Sequence, residues 1–538
     1  MAGRLGIDFG TCNTVLAVWD SATSQARTLD LPELTRLFAF QGEDVPVVPS
    51  LISYQPGGAT WIGAQVLDRG LDESETTFRW MKRYISARSP RRRRVGDREI
   101  GDAEAGRDFL VTLLRLALAE AGAPDEEVVY TLPVEAYEHY EDWVARVSDE
   151  VGITRYRMID EASAAALGYG VHIQPGDAYL VFDFGGGTLQ ASVVLVEEAT
   201  GAAASSGGQR CRVLGKAGAE VGGSTIDGWL FEHVLRESGR LPEDPVVRRL
   251  GRRLLAACEG AKMVLSSAEE TDVSATDDET GTTLSLHLTR RDFEALLDEH
   301  EALLTVHQTL QRALGASAER GYAEDDIKAV LSVGGSGLIP AVHRALEQHF
   351  GRERVQVRRP MDAVARGAAA FAAGVSFYDF IQHEYALRHT DMETGEYLYR
   401  TLLKAGTPYP TEKPLATVTI KATYDGQTQF GLDIFELGYR RDGGSAGGSG
   451  GGPVELVFDP QGAVQLTQVG NRDAGDRTRF WINEQTPTFL TSTRGAAQGE
   501  PCFRVEFGVD DNKRLTVTVN DLLTGEVPLS RHPVVRLT

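Results

Sequence analysis

Residues 5–14 read Leu5-Gly6-Ile7-Asp8-Phe9-Gly10-Thr11-Cys12-Asn13-Thr14 and run on into the apolar stretch Val15-Leu16-Ala17-Val18-Trp19. Residues 179–188 read Tyr179-Leu180-Val181-Phe182-Asp183-Phe184-Gly185-Gly186-Gly187-Thr188, followed by Ala191-Ser192-Val193-Val194-Leu195-Val196. Each copy reads as strand, Asp-Phe-Gly turn, hydroxyl residue, strand. The two aspartates stand 175 positions apart, a spacing that indicates duplicated subdomains and not a solenoid.

A glycine turn between strands uncovers backbone N–H groups, which can then approach phosphate oxygens. A carboxylate at the end of each strand can hold Mg²⁺ through its waters and so neutralise polyphosphate charge. One such turn is an ordinary hairpin; two matched turns, each preceded by Asp, point to a nucleotide held between them. A third cluster agrees. Ala329-Val330-Leu331-Ser332-Val333-Gly334-Gly335-Ser336-Gly337 reads as a buried strand ending in a glycine turn, and Ile339-Pro340 opens a helix. That arrangement aims backbone amides at an anion.

Outward from these turns, apolar strands alternate with helical segments up to about residue 375, an α/β pattern. Apolar residues recur at helical spacing over 106–121, 247–267 and 292–314. Beyond about residue 378 the pattern becomes alternating, as in 416–422. It is clearest in a hairpin from Phe503 to Asn520, with Val505, Phe507 and Val509 on one arm and Leu515, Val517 and Val519 on the other. Residues 443–452, GGSAGGSGGG, read as a flexible coil bridging two strands of this β-region. The run Arg88-Ser89-Pro90-Arg91-Arg92-Arg93-Arg94 reads first as a solvated loop, with contact to a nucleic acid or an acidic partner as the alternative.

Composition narrows the function classes. The chain has 538 residues, 77 acidic and 55 basic, for a net charge of −22. Such a balance argues against bulk nucleic-acid affinity. The four cysteines form no CxxC pair, which argues against a zinc site and fits a reducing, cytoplasmic setting. The N-terminus shows no secretory pattern, and no apolar run reaches the ~20 residues of a membrane span.

Together these motifs resemble the DnaK-type heat shock protein 70 family, over about residues 4–375. The resemblance rests on Gly6 to Thr11, Val48-Pro49-Ser50, Trp61-Ile62-Gly63, Met81-Lys82-Arg83-Tyr84-Ile85 and Tyr130-Thr131-Leu132-Pro133. It continues through Ile159 to Ala166, Phe182 to Thr188, Gly222-Gly223 with Asp227, Ala257 to Ser267, Gly334-Gly335-Ser336 and Asp362 to Gly367. It implies an α/β actin-like ATPase domain of two duplicated lobes over 1–375. A linker and lead-in segment over 376–400 would follow, then a smaller all-β domain for peptide or partner binding over 401–538, carrying the insert 443–452.

The resemblance also implies roles. Asp8 and Asp183 would hold Mg²⁺ through water. Lys82 would orient the attacking water and stabilise charge on the γ-phosphoryl group, Glu161 would position water or act as a base, and Thr188 would contact the γ-phosphate region. Gly10, Thr11, Cys12, Asn13, Gly185, Gly186 and Gly187 would cradle the phosphates of ATP or ADP, with Gly222 and Gly223 beside them. Glu259, Lys262, Met263 and Ser266 would meet the adenosine from one side, and Gly334, Gly335, Ser336 and Leu338 from the other. Met263 and Leu338 stand where the family has arginines, keeping the apolar faces and losing the charges. Gln190 replaces an aspartate of the family pattern and would weaken cation binding, and Ala162 replaces a proline.

The expected function is a slow Mg²⁺-dependent ATPase coupling nucleotide state to binding of extended or unfolded polypeptide. Partners would be a J-domain-type co-chaperone and a nucleotide-exchange factor. The alternative is a nucleotide-dependent scaffold with slow or absent turnover and one dedicated partner. The chain ends shortly after Gly525 without the family's helical lid, so peptide binding is expected to be weak and rapidly reversible.

Overall fold

The β-branched and aromatic run of each Asp-Phe-Gly copy is buried on both faces, and it forms the centre of a sheet. The structure, a computed structural model, describes residues 4–55, 57–121, 127–133, 138–169, 176–198, 209–373, 376–378, 381, 384–391, 394, 396–404, 406–407, 409–411, 413–438, 454–458, 464–468, 478–483, 487–510 and 514–537. In the first sheet, Arg4–Phe9 pairs antiparallel with Asn13–Asp20 and parallel with Val128–Leu132, which in turn pairs parallel with Tyr156–Asp160. In the second, Ala178–Phe184 pairs antiparallel with Leu189–Glu198 and parallel with Ile327–Val333, followed by Val355–Gln356. The third antiparallel strand is Gln25–Thr28 in the first sheet and Gln209–Ala219 in the second. The duplication in sequence is therefore a duplication of topology, with seven strands in one sheet and six in the other.

Two helices of small residues, Glu161–Gly168 and Ala363–Ala372, lie against each other beside these sheets. Their approach is backbone to backbone: a Cβ on Gly367 would fall 1.6 Å from the Ala164 carbonyl oxygen. Helix Asp102–Ala121 supports the first turn from below. Phe9 packs against Phe109 and Trp143, with ring centroids 6.0 and 5.7 Å away.

The expected helices over 106–121 and 247–267 appear as Asp102–Ala121 and Pro245–Leu265. The run 292–314 is two helices, Arg290–Glu299 and Ala302–Ala318, broken where Glu301 takes φ +54°. The arginine run departs from expectation. Arg92–Val95 and Arg98–Gly101 form a hairpin, and Arg93 is buried, so the segment is not a solvated loop.

By internal contacts the chain divides into two units, the first comprising 1–134, 142–377 and 451–470, and the second 135–141, 378–450 and 471–538. Among the described residues every element after Ala372 is a strand. In the second unit, one sheet orders Tyr397–Leu403, Glu384–Thr390, Ile434–Gly438 and Thr478–Trp481. Another orders Ala416–Lys421, Pro501–Val509, Arg514–Asp521 and Leu529–Arg536. Tyr385 and Leu387 from the first share a core with Phe503, Val505, Phe507 and Val517 from the second. The expected hairpin has the register Val505↔Val519 and Phe507↔Val517, so its apolar arms face one side. The insert 443–452 lies outside the described residues. The strands after it, Val454–Phe458 and Val464–Gln468, pair with each other.

Candidate functional site

Antiparallel pairing of Phe9 with Thr14 leaves Gly10-Thr11-Cys12-Asn13 at the end of the first hairpin. Pairing of Phe184 with Leu189 does the same for Gly185 to Thr188, where the Gly185 N–H donates to the Thr188 carbonyl at 3.0 Å. The two turns meet. A Cβ on Gly186 would lie 2.5 Å from Cys12 Sγ, and one on Gly187 would lie 2.4 Å from Thr11 Oγ1. Only residues without a side chain fit there.

Two further turns close on the same place. The Gly223 and Ser224 amides, at the start of helix Gly223–Glu237, donate to the carbonyls of Gly185 and Gly186 at 3.0 and 2.8 Å. Ser336 Oγ donates to the Gly185 carbonyl at 2.8 Å. Gly334 takes φ +81°, with the Asp183 carboxylate packed over its α-carbon. From the other side, Ser50 donates through its N–H to the Cys12 carbonyl and through its hydroxyl to the Gly10 carbonyl, both at 2.8 Å.

The carboxylates gather beneath these turns. Thr131 Oγ1 donates to Asp8 Oδ1 at 3.0 Å. Lys82, on the short helix Met81–Ser86, pairs closely with Glu161 Oε1, and both side chains are buried. Gln190 Nε2 donates to Glu161 Oε2 at 2.9 Å and to Thr188 Oγ1 at 3.2 Å. Asp183 and Gln190 are directly paired across the hairpin, so their side chains share a face.

Burial pushes the Asp8 carboxyl up to about 6, with Lys82 opposing and Glu161 reinforcing the rise. Asp183 is raised well above the ordinary carboxylate range by burial, then by Glu161 and Asp8, again against Lys82. Three carboxylates thus share the ammonium of Lys82, and the surplus negative charge costs free energy in a desolvated site. A hard divalent cation would relieve that surplus. Among the described residues no three His, Cys, Asp or Glu side chains form a direct ligand group. The carboxylates of Asp8 and Asp183 fit the chemistry of a hard divalent cation.

Of the residues expected against adenosine, Glu259, Lys262 and Met263 stand on helix Pro245–Leu265 and Ser266 is its C-cap. Lys262 Nζ lies 2.7 Å from Asp227 Oδ1 and donates to the Gly223 carbonyl at 2.9 Å. Asp227 is fully buried, and burial pushes its carboxyl up to about 7. Glu259 pairs with Arg79 at 3.3 Å. Ser266 donates back to the Lys262 carbonyl at 3.1 Å. Met263 is 59% exposed, and Leu338 is half-buried at the end of the turn Gly335–Leu338. Cys12, pushed up to about 12 by burial and then by Glu259, is a protonated thiol with little nucleophilic character.

Residues 111–436, more than half of the chain, match the family described as Hsp70 protein. The chain belongs to the Hsp70 family. Members of that family are in general ATPases of actin-like fold that bind ATP or ADP with Mg²⁺ and act as chaperones on unfolded polypeptide with co-chaperones. The matched span holds the Asp183 turn, the Gly222 and Gly334 turns and helix Pro245–Leu265, and it runs on into the β-region. The Asp8 turn and Lys82 precede it. Among the described residues of this Hsp70 protein, no helix is long and apolar enough to cross a membrane.

Three contributors to the site were not assigned roles from sequence: Thr131, Ser50 and Gln190 as a donor. The signal for Gln190 was the hairpin register, which places it opposite Asp183. It is a tie between Glu161 and Thr188. Gln190→Met should leave the buried Glu161 Oε2 without this donor and lower stability by about 1–3 kcal/mol. Urea unfolding of the nucleotide-free protein checks this, and an unchanged midpoint would show that the bond contributes nothing.

Proposed function

We propose that the first unit is a nucleotide-binding domain that hydrolyses ATP slowly, and that its nucleotide state sets the affinity of the second, β-only unit for extended polypeptide. What carries the reading is the set of two buried carboxylates, Glu161 and Asp183, with the half-buried Asp8 and one buried ammonium, beside two touching glycine turns. In this reading Asp8 and Asp183 hold the waters of a magnesium ion, which supplies neutralisation of phosphate charge. Lys82, held by Glu161, presents an ammonium to the γ-phosphoryl oxygens and to the attacking water. Glu161, fixed at both oxygens by Lys82 and Gln190, positions that water or accepts its proton. Thr188 contacts the γ-phosphate region. The cradle is Gly10, Thr11, Cys12, Asn13 and Gly185 to Gly187, flanked by Gly222, Gly223 and the Gly334-Gly335-Ser336 turn. Glu259, Lys262, Met263, Ser266 and Leu338 face the nucleoside. Cys12, Cys258 and Cys502 are free thiols, which supports a reducing, cytoplasmic setting.

The raised Asp8 carboxyl gives a signed expectation. With a folded value near 6, Asp8 is about half protonated at pH 6. A cation beside it favours the carboxylate, so binding of Mg²⁺ with ADP at pH 6 should release protons. At pH 8 the Asp8 contribution should vanish. Calorimetry in buffers of different ionisation enthalpy measures the release, and Asp8→Asn should lower it by the Asp8 share, leaving what Asp183 contributes. An identical release in wild type and variant would place the cation elsewhere.

A second reading, a dedicated-partner scaffold with slow or absent turnover, draws on the neutral Gln190 where the family pattern has a carboxylate. Steady-state ATP turnover with and without a panel of extended apolar peptides separates the two. Stimulation by peptides supports the chaperone, and a flat response with negligible turnover supports the scaffold.

A further inference from the structure

Away from the residues assigned to nucleotide, four guanidinium groups line one cavity. Arg79, Arg91, Arg93 and Arg252 surround it together with Trp80 and Asp72. They come from three places: the segment before Met81–Ser86, the arginine hairpin, and helix Pro245–Leu265. The side chains of Arg79, Arg91 and Arg252 are only 19%, 14% and 16% exposed. Arg93 is 9% exposed.

Arg79, Arg91 and Arg252 each have a carboxylate nearby, Glu259 at 3.3 Å, Asp102 at 3.7 Å and Glu75 at 3.9 Å. Arg93 is different. Its Nη1 donates to the Thr77 carbonyl at 2.7 Å and its guanidinium stacks 4.7 Å over the Phe78 ring. Among the described residues its buried Nε has no hydrogen-bond partner. Burial pushes its pKa down to about 9, and Arg91 and Arg252 add to the fall while Asp102 opposes it. A guanidinium does not discharge by losing its proton under ordinary conditions. The strain of a buried, incompletely paired cation is relieved instead by an anion in the cavity. Several rigid forks converging from separate elements suit a tetrahedral oxyanion better than a planar carboxylate.

We propose that this cavity is a second anion site, distinct from the nucleotide turns, for a phosphate dianion, either free or as the terminal group of a small phosphomonoester. Arg93 is its buried anchor, and Arg91 and Arg252 line the same cavity from a different segment and a different helix. Asp72, the one acid among the described lining residues, would accept from the protonated oxygen of hydrogen phosphate, an oxygen that the dianion of a phosphomonoester lacks.

The test is calorimetric titration of inorganic phosphate into the full chain at constant ionic strength, with Mg²⁺ and a non-hydrolysable ATP analogue in excess to fill the nucleotide turns and the γ-phosphate region. If the analogue does not bind, phosphate can enter those turns as well, and the difference between wild type and Arg252→Gln reads this cavity alone. Saturable one-to-one binding is expected, weakened at least about tenfold by Arg252→Gln, the order for loss of one charge-assisted bond. Arg252→Lys should recover part of it. Arg93→Gln also removes the contacts with Thr77 and Phe78, so Arg252 carries the test should that variant fail to fold. Glycerol phosphate binding more tightly than the free ion would assign the site to an ester, and the reverse to the ion itself. Absence of saturable heat at millimolar phosphate, equal binding by wild type and Arg252→Gln, or binding of an acidic peptide without phosphate would overturn the proposal.

Discussion

Lys82→Ala is expected to lower ATP turnover about 100- to 1000-fold while leaving ADP affinity within about threefold. The magnitude is that of removing one preorganised donor from a desolvated site where charge develops. Among the described residues Lys82 is the cation whose charge holds down both Asp8 and Asp183, and its ammonium is fixed by a buried Glu161. The groups assigned to the nucleoside, Lys262 and Ser266, are tied to Asp227, Gly223 and each other, not to Lys82. Ground-state binding should therefore survive. Turnover falls with affinity retained when a contact is made chiefly in the transition state. Single-turnover hydrolysis beside ADP calorimetry checks both halves. Parallel losses in the two would make Lys82 a structural residue.

Gly367→Ala should destabilise the first unit by about 3 kcal/mol or more, the upper range for overpacking. The added methyl would lie 1.6 Å from the Ala164 carbonyl oxygen and 2.5 Å from its carbon. Both are backbone atoms, so no rotamer change relieves the clash and the helices Glu161–Gly168 and Ala363–Ala372 must separate. Because Glu161 opens the first of these helices, the same change should displace the Lys82–Glu161 pair and reduce turnover. Gly260→Ala is the control. That glycine lies in helix Pro245–Leu265 with open space around its α-carbon, and alanine there should add roughly 0.5–1 kcal/mol. Equal effects at the two positions would show that helix propensity, and not close packing, governs the Gly367 change.

What was legible in the sequence follows from which signals are local. The Asp-Phe-Gly copies announce themselves because strand, turn glycine and carboxylate all lie within ten residues, and each forms the expected hairpin. The arms around Phe507 and Val517 were legible by alternation. The break at Glu301 was not, since no glycine or proline marks it and the helical spacing continues through His300. The arginine hairpin was hidden for a related reason. Arg91 and Arg93 turn inward at strand spacing, but their charge disguises the alternation that apolar residues would have shown. Gln190 was visible only as a departure from a pattern. Its bonds to Glu161 and Thr188 depend on a helix and a strand brought together in space. Met263 was expected against the base, and the structure places it largely exposed on its helix.

In the proposed function, Asp8 and Asp183, from two copies of one motif, serve a single magnesium–nucleotide site. The Mg²⁺ dependence of ADP affinity measures this most directly. Replacing either carboxylate by an amide removes charge that desolvation already disfavours, so Asp8→Asn and Asp183→Asn should stay folded. In wild type, Mg²⁺ should tighten ADP binding by at least about tenfold, equivalent to roughly 1.4 kcal/mol. Each variant alone should abolish that gain and leave the Mg²⁺-free affinity nearly unchanged. ADP binding indifferent to Mg²⁺ in wild type, or a Mg²⁺ gain surviving in either variant, would contradict the account.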